Sequence, residues 1–155
     1  MGTSWRVAAM PLVFALTLAA CKDDDSVGPI EGAPPAELVG TWSMQSVTVN
    51  GQPASLADVL EWDPNTASSD FTVETSGVYT YRELNVQGVP TFLAAGTITI
   101  SGNGFTISVS SVNGTPIPAQ RQSGTWELVQ GELRLTTQED FQGSMATVVL
   151  VCVRK

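Results

Sequence analysis

Gly96-Thr97-Ile98-Thr99-Ile100-Ser101-Gly102-Asn103-Gly104-Phe105-Thr106-Ile107-Ser108-Val109-Ser110-Ser111 is the stretch that decides the fold. Ile98 and Ile100 before the glycines, and Phe105, Ile107 and Val109 after them, alternate with small or polar residues. A period of two belongs to a strand with one buried face. Gly102-Asn103-Gly104 tolerates the positive φ that a tight turn demands, so the segment predicts a β-hairpin.

The same pattern continues in both directions. Strands are expected over 39–50, 70–75, 78–84, 96–101, 105–111, 121–129, 132–137 and 144–154, with Ser76-Gly77 and Gln130-Gly131 as further hairpin signals. No helical period long enough for a crossover separates them, so neighbours should pair antiparallel. One short helix is expected in the first connection over 56–60, where Ser55 caps and Asp58 occupies the third helical position, and Pro64 stops any extension. An eight-stranded meander favours an up-and-down β-barrel, because closure removes the exposed edges of an open sheet. The inward face should carry Trp42, Met44, Phe71, Val73, Tyr79, Tyr81, Ile98, Ile100, Phe105, Ile107, Trp126 and Leu128.

Two motifs carry a family resemblance. Leu38-Val39-Gly40-Thr41-Trp42 is similar to the Gly-x-Trp that opens the first lipocalin strand, and Gly124-Thr125-Trp126-Glu127-Leu128 with Leu133-Arg134-Leu135 completes the likeness near the end. The chain from residue 38 to 155 thus resembles the lipocalin-like domains of bacterial lipoproteins. The resemblance implies a calycin-type barrel, an indole plugging its closed end, and a late arginine packed over that indole. Arg154 and Arg134 are the two candidates. A second signature of the Thr-Asp-Tyr type and a helix after the last strand are both missing from the sequence.

The amino-terminal part reads as an address. Arg6 provides a positive charge, an apolar core follows to Leu18, and Leu18-Ala19-Ala20-Cys21 has the form of a lipobox. That core is shorter than the roughly 20 residues a spanning helix needs. Residues 1–20 are therefore expected to be a cleaved signal peptide, with Cys21 acylated by fatty chains such as palmitate. Two or more acyl chains hold a protein firmly on a membrane where one does so only reversibly. Residues 21–37 form an acidic, proline-containing linker, and 38–155 the barrel. Lys22-Asp23-Asp24-Asp25 is similar to a surface-export tag of Bacteroidetes-type lipoproteins, with a plain solvated linker as the competing reading. The expected location is the bacterial cell envelope, at the outer membrane, and on its surface under the export-tag reading.

Charge and composition exclude several functions. Seven basic against fifteen acidic residues leave a net charge of −8 over 155 residues, and no basic patch that would suit nucleic acid. The chain has no histidine, which removes the commonest general base and metal ligand, so no catalytic residues, metal or cofactor are assigned. Glu61 with Asp63 and Glu139 with Asp140 are read as solvated turn carboxylates, and Asp23-Asp24-Asp25 lacks the turn glycine and closing glutamate of a calcium loop. Cys152, in an apolar run, is read as a small buried hydrophobe.

What remains is the barrel interior. Trp42, Met44, Phe71, Tyr79, Tyr81, Ile98, Ile100, Phe105 and Trp126 are the cavity or core residues, with Leu60 and Trp62 in a lid above them. An eight-stranded barrel either fills itself with side chains or holds one small ligand. The expected function is a monomeric, non-enzymatic, membrane-anchored binder of a small apolar or amphipathic molecule. The alternative is a filled scaffold presenting loops 51–69 and 113–118 to partners. A lumen of about 300 Å³ or more, open at one mouth, favours the first reading, and an interior closed by interlocked side chains the second.

Overall fold

The computed structural model describes residues 32–155, and the expected signal segment, Cys21 and the charge run after it lie outside them. The strands are β1 (Gly40–Val49), β2 (Gln52–Ala54), β3 (Ser68–Val73), β4 (Val78–Leu84), β5 (Pro90–Ser101), β6 (Gly104–Val112), β7 (Thr115–Val129), β8 (Glu132–Phe141) and β9 (Ser144–Arg154), with α1 (Leu56–Val59) between β2 and β3. Neighbours are antiparallel, and β1 pairs with β3 on one side and β9 on the other. Eight strands, β1 and β3 to β9, thus close into an up-and-down barrel. The three-residue β2 is an addition, folded back on the end of β1 through Asn50-Gly51.

The turns follow from residue chemistry. Asn50-Gly51, Asn113-Gly114, Gln130-Gly131 and Gln142-Gly143 all have positive φ at both positions, between 49° and 87°. Such two-residue turns twist in the same sense as the strands they join. Ser55 caps α1 by accepting the Asp58 N–H at 3.4 Å, and the helix ends a residue earlier than expected.

Several sequence expectations are corrected by the pairing. Residues 113–118 are not a loop: Asn113-Gly114 is the turn and Thr115 to Pro118 already belong to β7. Those prolines lie beside the register shift between Val109 and Ser111, where missing donors cost the ladder little. Pro90 likewise heads β5, six residues before the expected start. Leu128 shares the inward face through its pairing with Leu133, yet it stands at the rim and is 37% exposed. Glu139 and Asp140 are strand residues of β8, not turn residues.

The closed end also recruits residues grouped with the linker. The Ile100 N–H donates to the Gly32 carbonyl at 3.1 Å, Pro34 is buried, and the Leu38 N–H donates to the Pro35 carbonyl at 2.9 Å. Among the described residues, packing therefore already includes Gly32 and Pro34.

Asp70, on the outward face of β3, is wholly buried beneath two cations. Its carboxylate accepts from Arg82 Nε and from Lys155 Nζ, each at 2.8 Å, which ties β3 to β4 and to the carboxy terminus. Burial acts to raise its pKa, but the bonds and charges of Arg82 and Lys155 prevail and hold it below the usual value. Because the folded value is depressed, the stability this group supplies is full above the unfolded value near pH 4 and is lost as pH falls through the folded one. Asp70→Asn should cost about 1–2 kcal/mol at pH 7, less than a fully buried pair because both cations are partly in solvent. Urea titrations at pH 7 and pH 3 should show the difference between variant and wild type shrinking in acid.

Candidate functional site

The closed end is a sealed floor. Trp42 is 1% exposed, and its indole N–H donates to the Leu38 carbonyl at 2.9 Å. Arg154 lies over this ring at 4.6 Å from the centroid and donates to the carbonyls of Val39 at 2.7 Å and Glu37 at 2.5 Å. Of the two candidate arginines it is thus Arg154 that covers the tryptophan; Arg134 stands 3.9 Å from Glu127 on the wall. Gly40 has φ 136°, and a Cβ there would sit 2.8 Å from the Arg154 guanidinium, so the glycine of Gly-x-Trp makes room for the arginine. Phe71, Ile98, Ile100 and Leu133 complete this packed layer. Trp126 belongs to the same end, half-buried, with its N–H donated to the Gly102 carbonyl at 3.2 Å.

Above the floor the barrel is hollow. A cavity of about 280 Å³ is lined by Met44, Tyr79, Tyr81, Phe105, Ile107 and Leu135 from the walls, and by Val59, Leu60 and Glu61 from the segment that follows β2. The volume lies at the lower edge of small-molecule sites, about 300 Å³, so any occupant is small. The interior is filled at one end and open space at the other. A larger depression of about 680 Å³ lies outside the barrel near Gly32, but glycine, serine and threonine dominate its lining and offer little apolar area.

The upper cavity wall is polar. Glu83 is 5% exposed and accepts from Thr66 Oγ1 at 2.9 Å and from the Tyr81 hydroxyl at 3.4 Å. The Trp62 indole N–H donates to that same hydroxyl at 3.3 Å. Trp62 thus reaches the cavity through Tyr81, while Leu60 lines it directly. Across the barrel Glu139 accepts from Gln122 Nε2 and from Thr137 Oγ1, the latter at 2.6 Å. Burial raises the phenols of Tyr79 and Tyr81 well above their ordinary pKa, the Glu83 carboxylate adding to the second, so both present neutral hydroxyls. Burial also pushes the Cys152 thiol up to about 12, which makes it an inert packing group. Among the described residues no group of three histidine, cysteine, aspartate or glutamate side chains could hold a metal ion.

The sequence-expected site residues therefore divide into two sets. Met44, Tyr79, Tyr81, Phe105 and Leu60 meet at the cavity; Trp42, Phe71, Ile98, Ile100 and Trp126 are outside its lining, at the closed end or in its core. Glu83, Phe92, Gln120, Gln122 and Thr137 line it and escaped sequence reasoning, while Glu61 and Glu139, read from the sequence as solvated turn carboxylates, line it too. The signal was available. Glu83 is in phase with Tyr79 and Tyr81, and Thr137 and Glu139 with Leu133 and Leu135, so strict alternation points these polar groups inward.

Comparison with known proteins settles the family. Residues 38–150 match the family model described as a lipocalin-like domain. The chain belongs to that family. No curated protein sequence matches it. Among solved structures, this lipocalin-like chain is similar to a biogenic amine-binding protein, with 8% identity, 83% of this chain and 70% of the other covered, and a TM-score of 0.47. It is also similar to zebrafish ileal bile acid-binding protein with cholic acid, at 12% identity, 77% and 100% coverage and a TM-score of 0.42. A variant of transferrin-binding protein B from Haemophilus parasuis aligns at 20% identity over 73% of this chain but 24% of its own, with a TM-score of 0.32.

Proposed function

We propose that this lipocalin-like chain is a monomeric, non-enzymatic binding protein that takes one small amphipathic molecule into its barrel and is held in the bacterial cell envelope by a lipid on Cys21. The observation that carries the binding reading is the cavity of about 280 Å³ above a sealed floor, apolar below and polar at its upper wall. Such a lining orients a ligand: the apolar part gains by leaving water, and the polar part keeps hydrogen bonds near the mouth.

Intrinsic tryptophan fluorescence tests this directly, since Trp62 is bonded to the cavity hydroxyl of Tyr81. Titration with straight-chain alcohols, amines and acids should give a change that saturates at one equivalent for at least one head group and is lost in Trp62→Phe. No saturable response from any of them would overturn the reading.

The anchor rests on Leu18-Ala19-Ala20-Cys21. Cys21→Ala should move the protein from the detergent-rich to the aqueous phase on cloud-point partitioning of expressing cells. Unchanged partitioning would exclude acylation at this thiol.

A further inference from the structure

We propose that the cavity selects a cation: an amphipathic molecule whose apolar part enters first and whose positively charged head rests between Glu83 and Glu139. The proposal rests on the binding reading above and adds the charge of the ligand.

Three observations carry it. Carboxylates line the cavity on β4 and β8, from Glu83 and Glu139, and a third, Glu61, lines it from the segment above. Their bonded partners are neutral for the two strand residues: hydroxyls of Thr66 and Tyr81 at Glu83, an amide and a hydroxyl at Glu139. Among the described residues, no side chain lining the cavity is basic.

The second half of the argument is where the cations went. The described residues hold five basic side chains. Arg82 and Lys155 are committed to Asp70 on the outer face, Arg154 covers Trp42 at the closed end, Arg134 stands by Glu127, and Arg121 is exposed opposite Ser108. A carboxylate as secluded as Glu83 ordinarily has a counter-charge, as Asp70 has two. Among the described residues no positive partner stands beside Glu83, and the cavity before it has room to admit one. Tyr79, Tyr81, Phe92 and Phe105 line the same cavity. Aromatic faces attract a cation and tolerate an alkyl or aryl body, and they give nothing to an anion. An anionic head group would meet Glu83 and Glu139, beside which no described residue places a positive charge.

The test uses three molecules with one tail: octylamine, 1-octanol and octanoate, titrated calorimetrically at neutral pH against the purified protein. Octylamine should bind at least tenfold more tightly than 1-octanol, and octanoate more weakly than either. In Glu83→Gln/Glu139→Gln, which removes both charges, the new amide at position 83 can still accept from Thr66 while its NH2 donates to the Tyr81 hydroxyl, and that at position 139 can still accept from Thr137 and Gln122. The amine's advantage over the alcohol should then fall at least tenfold. Equal or tighter binding of 1-octanol or octanoate to the wild type overturns the charge assignment and leaves the cavity reading standing. No binding by any of the three overturns both. The wild-type comparison decides the matter by itself if the double variant does not fold.

Discussion

Replacing Gly96 by alanine should cost the barrel about 3 kcal/mol or more and leave little folded protein at 37 °C. Gly96 lies at the register shift of β5 against β6, where the two backbones come close. A Cβ there would stand 1.9 Å from the Ser108 carbonyl oxygen, 2.8 Å from its carbon and 2.9 Å from Val109 Cα. All three are main-chain atoms of a paired strand, so no side chain can swing aside. Gly51→Ala is the control. It has φ 78° and nothing within 4 Å of the new methyl group, so it meets backbone strain alone, about 1–2 kcal/mol. Urea unfolding of the two variants should separate them, and equal losses would show that the β5–β6 contact relaxes freely.

Trp42→Ala should be the second large loss, about 3–5 kcal/mol, the range for deleting a buried tryptophan. The indole is buried under Leu38, carries the bond to the Leu38 carbonyl, and supports the Arg154 guanidinium. Its removal hollows the floor and leaves that carbonyl without its partner. Trp42→Phe keeps most of the volume and loses the bond and part of the cation–π contact, so it should cost about half as much. Chemical denaturation followed by circular dichroism provides the comparison without relying on the deleted fluorophore. A loss below about 1 kcal/mol for Trp42→Ala would mean that the closed end repacks.

The residues that made the barrel legible are those whose alternation is uninterrupted. Ile98, Ile100, Phe105 and Ile107 read as one buried face and are one, because each is apolar and each polar neighbour points outward. Where inward positions are polar, the same reading failed. Glu139 beside Asp140 looks like a turn from composition, yet β8 runs to Phe141 and the turn is Gln142-Gly143. Two adjacent carboxylates face opposite sides of a strand, one to solvent and one to the lumen. Prolines misled in the other direction: Pro90, Pro116 and Pro118 mark strand ends in most contexts, but here they sit at a strand start and beside a bulge. The site was half legible for the same reason. Its apolar floor follows from hydrophobic pattern, whereas its polar wall is visible only once the strand phase is carried through residues that look unsuited to an interior.

The crossing of Gly32 over Ile100 gives the molecule a polarity in space. The polypeptide enters at the plugged pole, and the lumen gapes at the opposite one. If the lipid proposed on Cys21 holds the chain by its amino-terminal end, the mouth would lie on the side away from that attachment. Cargo would then be exchanged with the surrounding fluid and not with the lipid phase, so uptake should track dissolved concentration and ignore membrane composition.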